Sequence, residues 1–317
     1  MARRLDAALR GAACRNARRL RRMGDSRRWL WLPFPPHSPR MEPGGDRAMT
    51  LDTSRIKLGG APVDLLEFDQ AVDLIAGRAL ASSQPPLGVV SINLDHIHHF
   101  GERSSLYGDF GLRSGPVGDI EWLNLADGAP LVEQARRLTA HQWPRLAGSD
   151  LIGALLARAE RDGSSVGFLG GLPSTATELS RRLLTEYPAL ELAGCWTPSR
   201  EELADAGYSC ELAGEIRDVG VDVLVVCLGK PRQELWIDHY GVRTGAHVLL
   251  AFGAVVDFLA GRVDRAPRWA ADNGFEWAWR LSKEPKRLFR RYIVEGPSAY
   301  RAVRRSPAVI STEVAES

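Results

Sequence analysis

The chain has 317 residues, of which 44% are hydrophobic and 25% are charged, and its formal net charge is +2. This composition is typical of a globular protein, and the small net charge excludes a polycation that binds nucleic acid over its whole surface. No apolar run reaches the length of a membrane span. Four widely spaced cysteines without a C-x-x-C pair predict neither a disulfide framework nor a zinc site, and they fit a reducing cytoplasm.

Residues 1–48 differ in composition from the rest of the chain. They are rich in arginine, and four prolines cluster between residues 33 and 39 beside aromatic residues. No apolar segment follows the early arginines, so a secretion signal is not indicated, and the composition predicts disorder. We interpret the segment as an upstream extension or a misassigned start, because Met49 begins a more ordinary sequence. The alternative is a basic arm that binds acidic lipid.

From residue 50 onward, apolar runs alternate with stretches of helical periodicity. The predicted strands cover 56–63 (as a strand or a short hairpin), 88–94, 121–125, 165–169, 189–195, 221–228 and 246–252. The predicted helices cover 68–81, 97–112, 129–137, 151–162, 174–187 and 200–219, the last with a break near Gly207. This alternation predicts an α/β fold with a mainly parallel, Rossmann-like sheet flanked by helices, followed by a C-terminal helical appendage.

Polar residues and glycines lie at the carboxyl ends of four of the predicted strands, at 91–93, 126–128, 170–171 and 229–234. In a parallel α/β sheet, ligands bind beyond the carboxyl ends of the strands. Glycines there allow the backbone to approach a ligand closely, and helix N-termini attract phosphate. A single glycine at a strand end is more often only a turn residue. Four such ends, three of them with polar side chains, favour a nucleotide-type site.

Asp127 is the sharpest single candidate, since it lies between a short strand and Gly128 in an apolar context. A carboxylate in such a place can act as a general base. The alternative is that it caps the helix predicted at 129–137. Asp95 is interpreted in that second way, as a cap for the helix after Asn93.

The histidine cluster at 96–99 is not interpreted as a metal site. On a helix, His96, His98 and His99 project to different sides, and no carboxylate lies at a recognisable ligand spacing. We expect them to be partly exposed helix residues. The sequence also contains no Asp-x-Asp triplet, no Walker sequence, no G-x-G-x-x-G after the first strand and no G-x-S-x-G. A metal-independent mechanism is therefore expected, and use of ATP or a dinucleotide is not supported.

The C-terminal region is basic and aromatic. Arg280, Arg287 and Arg291 have helical spacing and share a face. One interpretation is a solvated cationic face on an ordinary amphipathic helix. Another is a clamp for a diphosphate, which suits the bidentate geometry of arginine. The same helix could also lie on an anionic membrane surface.

Eight short motifs follow one another between about residues 56 and 292. They are Ser91-x-Asn93, Ala126-Asp127-Gly128, Gly148-Ser149-Asp150, Gly167-Phe168-Leu169-Gly170-Gly171, Gly229-Lys230-Pro231-Arg232-Gln233-Glu234, Gly253-Ala254-x-x-Asp257-Phe258-x-x-Gly261, Arg265-Ala266-Pro267 and Glu276-Trp277-x-x-Arg280-Leu281. Their number and order resemble the WecG/TagA/CpsF glycosyltransferase family.

The resemblance implies transfer of an N-acetylmannosamine-type sugar from a UDP-sugar to an undecaprenyl-diphosphate-linked sugar, with no metal and no cofactor beyond the donor. The products would feed teichoic acid, enterobacterial common antigen or exopolysaccharide. The resemblance makes Asp127 the base and places Asn93 and Ser91 with it in the catalytic site. At the position of Ser91, threonine is commoner in the family. It places Gln233 at the donor sugar. The other expected substrate-binding residues are Gly170, Gly171, Gly229, Arg232, Glu234, Gly253, Asp257, Arg265, Arg280, Arg287 and Arg291.

The expected organisation is an extension at 1–48, a catalytic α/β domain at 49–262, a basic aromatic appendage at 263–305 and a flexible tail at 306–317. The expected partners are the UDP-sugar, the lipid-linked acceptor and the inner face of the cytoplasmic membrane, where the protein would be peripheral. No nucleic acid is expected, and homo-oligomerisation is left open. The alternatives are a Rossmann-type nucleotide-binding oxidoreductase and a non-catalytic membrane scaffold with two basic ends.

Overall fold

The computed structural model describes residues 54–102, 104, 120–262, 279, 281, 289–307 and 310–311. A single nine-stranded sheet runs through the described residues in the order β6-β5-β7-β8-β3-β4-β2-β1-β9. Its strands are β1 Ser54–Leu58, β2 Ala61–Leu65, β3 Leu87–Ile92, β4 Glu121–Ala126, β5 Val166–Gly170, β6 Leu192–Trp196, β7 Val223–Cys227, β8 Val248–Ala251 and β9 Ile310–Ser311. The seven strands from β6 to β2 are parallel, and β1 is antiparallel to both β2 and β9. The predicted mainly parallel α/β fold is confirmed.

The central strands are covered on both faces, which explains their sequences. Strand β3 is buried at every residue, and so is β8. Parallel strands between two helical layers show near-continuous apolar runs instead of alternation. The segment Val223-Leu224-Val225-Val226 in β7 is such a run, and β-branched side chains fit the pleated surface well.

Helices cover the two faces of the sheet in separate layers. Their bounds are α1 Phe68–Leu80, α2 Leu94–Phe100, α3 Ala129–Thr139, α4 Gly148–Asp162, α5 Pro173–Glu186, α6 Arg200–Ala204, α7 Ala206–Val219, α8 Arg232–Tyr240, α9 Val255–Leu259 and α10 Gly296–Arg304. A 3₁₀ turn spans Gly241–Thr244, and a π-helical turn, Arg290–Glu295, leads into α10. Buried residues of α2, α3, α7, α8 and α10 form one core, and those of α1, α4, α5 and α9 form the other.

The two layers create a crevice at the centre of the sheet. Strands β3 and β8 are neighbours, but the helices that follow them, α2 and α9, lie in opposite layers. The connections at the carboxyl ends of β3 and β8 therefore diverge. In open α/β sheets this divergence leaves the space in which ligands bind.

Several elements differ from the sequence-based predictions. The helix predicted at 97–112 begins earlier and ends at Phe100, where Gly101 stops it. Helices α8 and α9 were not predicted. The break predicted near Gly207 in helix 200–219 is confirmed and lies at Asp205. Residues 310–311, predicted to lie in a flexible tail, form β9 and pair with Arg55 and Ile56.

The last described helix packs on the α/β body. Ala299 and Val303 of α10 are buried in the same core as Ile97 of α2. The hydroxyl of Ser306 accepts a hydrogen bond from the N–H of Gly59 at 2.8 Å. Most of the predicted appendage, and all of the predicted extension at 1–48, lie outside the described residues, so the division into domains stays a prediction.

Among the helices of the described residues, none has both the length and the apolar character needed to cross a bilayer.

Candidate active site

Three strand ends meet around Asn93. Strands β3 and β4 pair in register up to Ile92 and Ala126, so Asn93 and Asp127 follow adjacent strands directly. The side-chain Nδ2 of Asn93 donates to Asp127 Oδ2 at 3.1 Å. Lys230, from the loop after β7, donates from Nζ to Asn93 Oδ1 at 3.0 Å. One amide therefore holds a carboxylate and an ammonium group at the edge of the sheet where ligands bind.

The chemistry of its partners fixes the orientation of the Asn93 amide. Its Oδ1 accepts from the backbone N–H of Asp95 at 3.2 Å as well as from Lys230. Its Nδ2 is left to donate, and a carboxylate oxygen is a suitable acceptor. Asn93, and not Asp95 as predicted, is thus the N-cap of α2.

Asp127 does not cap the helix that follows it. Helix α3 begins after Gly128, which has a φ of +87° and provides no side-chain cap. The Asp127 carboxylate is partly exposed, and Asn93 holds its Oδ2. Its Oδ1 makes no hydrogen bond to any described residue. The result is a carboxylate with one oxygen oriented by the protein and one available to a ligand.

Gln233 ties together the loops that follow β7 and β8. Its side chain is fully buried. Its Oε1 accepts from the N–H of Gly229 at 3.2 Å and of Gly253 at 3.1 Å. Its Nε2 donates to Ala251 O at 2.9 Å and to Glu234 Oε1 at 2.8 Å. The predicted contact of Gln233 with a donor sugar would require it to exchange one of these partners.

Glu234 and His96 form a buried pair beneath the site. Neither side chain is exposed, and His96 Nε2 lies 3.0 Å from Glu234 Oε1. Burial raises the pKa of Glu234 to about 7, although Lys230 opposes the shift. The expectation that His96 is partly exposed is therefore wrong, because α2 turns that residue toward α8. His98 and His99 are partly exposed, at 34% and 28%.

Ser91 contributes a buried hydroxyl two residues before Asn93. The residue is 7% exposed, and its Oγ has no hydrogen-bond partner among the described residues. Buried polar groups are nearly always paired with protein or water. Ser91 therefore offers a buried hydroxyl, at the carboxyl end of β3, that the described residues leave without a partner.

The glycine pair after β5 is required by close packing. Gly170 has a φ of +117°, and a Cβ there would collide with the carbonyl of Cys227 on β7. Gly171 has a φ of +80°, and a Cβ would lie 2.8 Å from Val256 of α9. These glycines bring the start of α5 close to α9, at the same edge of the sheet as Asp127.

The structure describes some of the remaining predicted residues and not others. Arg232 begins α8 and directs one guanidinium nitrogen to Leu228 O at 3.3 Å. Asp257 is half-buried in α9. Arg265, Arg280 and Arg287 lie outside the described residues, as does the side chain of Arg291.

Two residues of this arrangement were not predicted as site residues, Lys230 and His96. Lys230 belongs to the motif at 229–234, and its position directly after a strand-end glycine was a usable signal. His96 lies three residues after the N-cap and accepts the Asn93 N–H through Nδ1. This reciprocal pattern is a capping box, which the spacing Asn-x-x-His could have indicated.

The arrangement suits transfer of a group that leaves as an anion. Asp127 can accept a proton, and the Lys230 ammonium lies on the other side of the same amide. Within the described part of the chain, no three potential metal ligands come together.

A family model described as the glycosyl transferase WecG/TagA/CpsF family matches residues 56–310. The matched region contains Ser91, Asn93, Asp127 and the loops after β5, β7 and β8. A glycosyltransferase moves a sugar from a donor to an acceptor, so both kinds of substrate are required. The resemblance noted in the motifs is confirmed, and the chain belongs to the WecG/TagA/CpsF family of glycosyltransferases.

Proposed function

We propose that the chain transfers an N-acetylhexosamine of the N-acetylmannosamine type from a UDP-sugar to a sugar carried on undecaprenyl diphosphate. The reaction would serve cell-wall or exopolysaccharide synthesis, at the inner face of the cytoplasmic membrane. The donor and acceptor classes come from the resemblance of the motifs. The observation that carries the chemistry is the Asp127 carboxylate, which Asn93 holds through Oδ2 at 3.1 Å while Oδ1 is unpaired among the described residues.

In the proposed step, Asp127 takes the proton of an acceptor hydroxyl. The hydroxyl oxygen forms a bond to the anomeric carbon of the donor, and the bond from that carbon to the β-phosphate oxygen breaks. UDP leaves with the electron pair, and Asp127 later releases the proton to solvent. A well-placed general base contributes about 10²- to 10⁴-fold to such a rate.

The departing UDP gains negative charge, so cations near the phosphates favour transfer. Lys230 supplies one beside Asn93. The arginines predicted for this role, Arg265, Arg280, Arg287 and Arg291, remain part of the proposal. The glycine pair after β5 offers close backbone approach at the same edge of the sheet.

A peripheral position at the membrane is supported by the segment before α10. Phe289, Ile293 and Val294 are exposed at 55%, 44% and 61%. Arg290 and Arg301 lie in the same segment and its following helix, and both are exposed. Apolar side chains next to arginines suit the boundary between anionic headgroups and acyl chains.

The test is a UDP-release assay with a panel of UDP-N-acetylhexosamines and an undecaprenyl-diphosphate-linked sugar. We expect Asp127→Asn to bind UDP like the wild type and to lose about 10²- to 10⁴-fold in turnover. Asp205→Asn is the matched control, because Asp205 caps α7 through its side chain and asparagine caps equally well. Turnover of Asp127→Asn within about threefold of the control would sink the assignment of the base. Binding of NAD in place of UDP would instead favour the oxidoreductase alternative.

A further inference from the structure

A chain of hydrogen bonds runs from the buried interior to the proposed base. It begins at Glu234 on α8, passes through His96 on α2 and reaches Asn93 at the N-terminus of α2. Neither Glu234 nor His96 has solvent-exposed side-chain surface, although Glu234 was predicted to bind substrate. Their hydrogen bonds lead to the site through Asn93 and, for Glu234, also through Gln233.

The hydrogen bonds define the tautomer of His96. Its Nδ1 accepts the backbone N–H of Asn93 at 3.3 Å. A ring nitrogen that accepts carries no proton, so the proton of the neutral ring is on Nε2. Nε2 then donates to Glu234 Oε1 at 3.0 Å. His96 thus connects the backbone of Asn93 to a carboxyl group on a different helix.

Glu234 is the point where this chain joins the loops after β7 and β8. The same Oε1 also accepts from Gln233 Nε2 at 2.8 Å, and Gln233 holds Gly229 and Gly253. Lys230, Asp95 and His99 are the charged or titratable groups whose fields reach Glu234. Glu234 Oε2 has no partner among the described residues, so the acceptor function rests on Oε1.

The series of hydrogen bonds ends at Asp127, the proposed base. Asn93 Nδ2 donates to Asp127, and Asn93 Oδ1 accepts from Lys230. A tilt of the Asn93 backbone would move both contacts together. Displacement of a catalytic group by about 1 Å can cost on the order of 10²-fold in rate.

We propose that His96 and Glu234 are positioning residues for the transfer reaction, which hold Asn93 so that it orients Asp127 and Lys230. This inference rests on the proposed role of Asp127 as the base. It assigns a function to the one buried histidine of the 96–99 cluster and to a glutamate whose side chain has no exposed surface.

The first test compares two substitutions of Glu234. Glu234→Leu removes the acceptor and leaves the His96 N–H unpaired, whereas Glu234→Gln retains an acceptor of the same size. We expect Glu234→Leu to lower kcat by about 10- to 100-fold. The KM for the donor should change much less than kcat, because a displaced base affects the chemical step more than it affects donor binding. Glu234→Gln should recover most of the lost turnover.

A control separates positioning from general loss of stability. Ile75→Ala creates a cavity in the core on the opposite face of the sheet, where Ile75 is 1% exposed. Glu234→Leu and Ile75→Ala are compared by urea unfolding, and kcat is measured under conditions in which both variants are fully folded. The proposal requires Ile75→Ala to keep its kcat. An equal loss of kcat in Ile75→Ala, an unaffected Glu234→Leu, or a Glu234→Gln as impaired as Glu234→Leu would each overturn it.

The second test is independent of activity. Nitrogen NMR of the labelled histidine rings identifies the His96 signals by their loss in His96→Asn. We expect the Nε2–H tautomer in the wild type and in Glu234→Gln. In Glu234→Leu the His96 signals and the Asn93 side-chain amide signals should both shift. A wild-type Nδ1–H tautomer, or Asn93 signals that do not respond to Glu234→Leu, would refute the connection.

The two tests distinguish failure of the proposed function from failure of the positioning role. A wild-type chain that releases no UDP with any donor refutes the proposed function, and the NMR experiment then decides whether the hydrogen-bonded connection exists. An active wild type with the wrong tautomer refutes the positioning role alone.

Discussion

Replacement of Gln233 by leucine tests how much the hydrogen bonds of this one side chain contribute to the free energy of unfolding. The substitution keeps the volume and burial but removes four hydrogen bonds, to Gly229, Gly253, Ala251 and Glu234. A protein hydrogen bond contributes about 1 kcal/mol net, and more where the abandoned partner is buried. Gly229 is exposed and Gly253 half-buried, so water can replace Gln233 at these two N–H groups. The expected loss of unfolding free energy is roughly 3 kcal/mol.

Urea denaturation of the wild type, Gln233→Leu and Gln134→Leu measures this loss. Gln134 on α3 is also a buried glutamine, at 6% exposure, but its side chain makes no hydrogen bond to any described residue. We expect Gln134→Leu to stay within about 0.5 kcal/mol of the wild type. If the two leucine variants unfold at the same urea concentration with the same slope, the hydrogen bonds of Gln233 do not hold the strand ends together.

Two further predictions concern single residues. Gly170→Ala should destabilise the chain by several times the cost of Gly163→Ala in thermal unfolding, because both have positive φ but only Gly170 faces a neighbouring carbonyl, while Gly163 faces open space. Equal effects would refute the packing argument. Burial raises the pKa of Glu234 from 4.5 to about 7, so the folded chain keeps a proton that the unfolded chain releases between these values. Wild-type stability relative to Glu234→Gln should therefore fall as pH rises from about 4.5 to 7 and stay constant above it. A rise over that interval in paired urea titrations would show that the sign is wrong.

The fold was largely predictable because the sheet is covered on both faces. Strands such as β7 and β8 appear in the sequence as short apolar runs that end at glycines, and their length and flanking glycines distinguish them from buried helices. Helices α8 and α9 escaped prediction because they are short and begin within three residues of these glycines. Nine residues in α8 and five in α9 are too few for a helical apolar period to be recognised, and the two buried valines that open α9 follow closely on the apolar run of β8.

The pairing of Asn93 with Asp127 could also be predicted, since these residues lie side by side whenever β3 and β4 are adjacent. The contacts of His96, Glu234 and Lys230 could not be predicted. His96 and Glu234 are separated by 138 residues, and Lys230 and Asn93 by 137. Which of three nearby histidines faces inward depends on how α2 packs against α8. The periodicity of so short a helix does not contain that information.

The position of α10 has a consequence for biosynthesis. Ala299 and Val303 pack in the same core as α2, the helix that carries Asn93 and His96. During translation, every residue proposed for the base and its supports is made before this packing partner leaves the ribosome. We expect the site to reach its final geometry only after α10 has docked. A nascent or prematurely terminated chain would then hold all of these residues and still lack activity, which would guard against transfer by an incomplete enzyme.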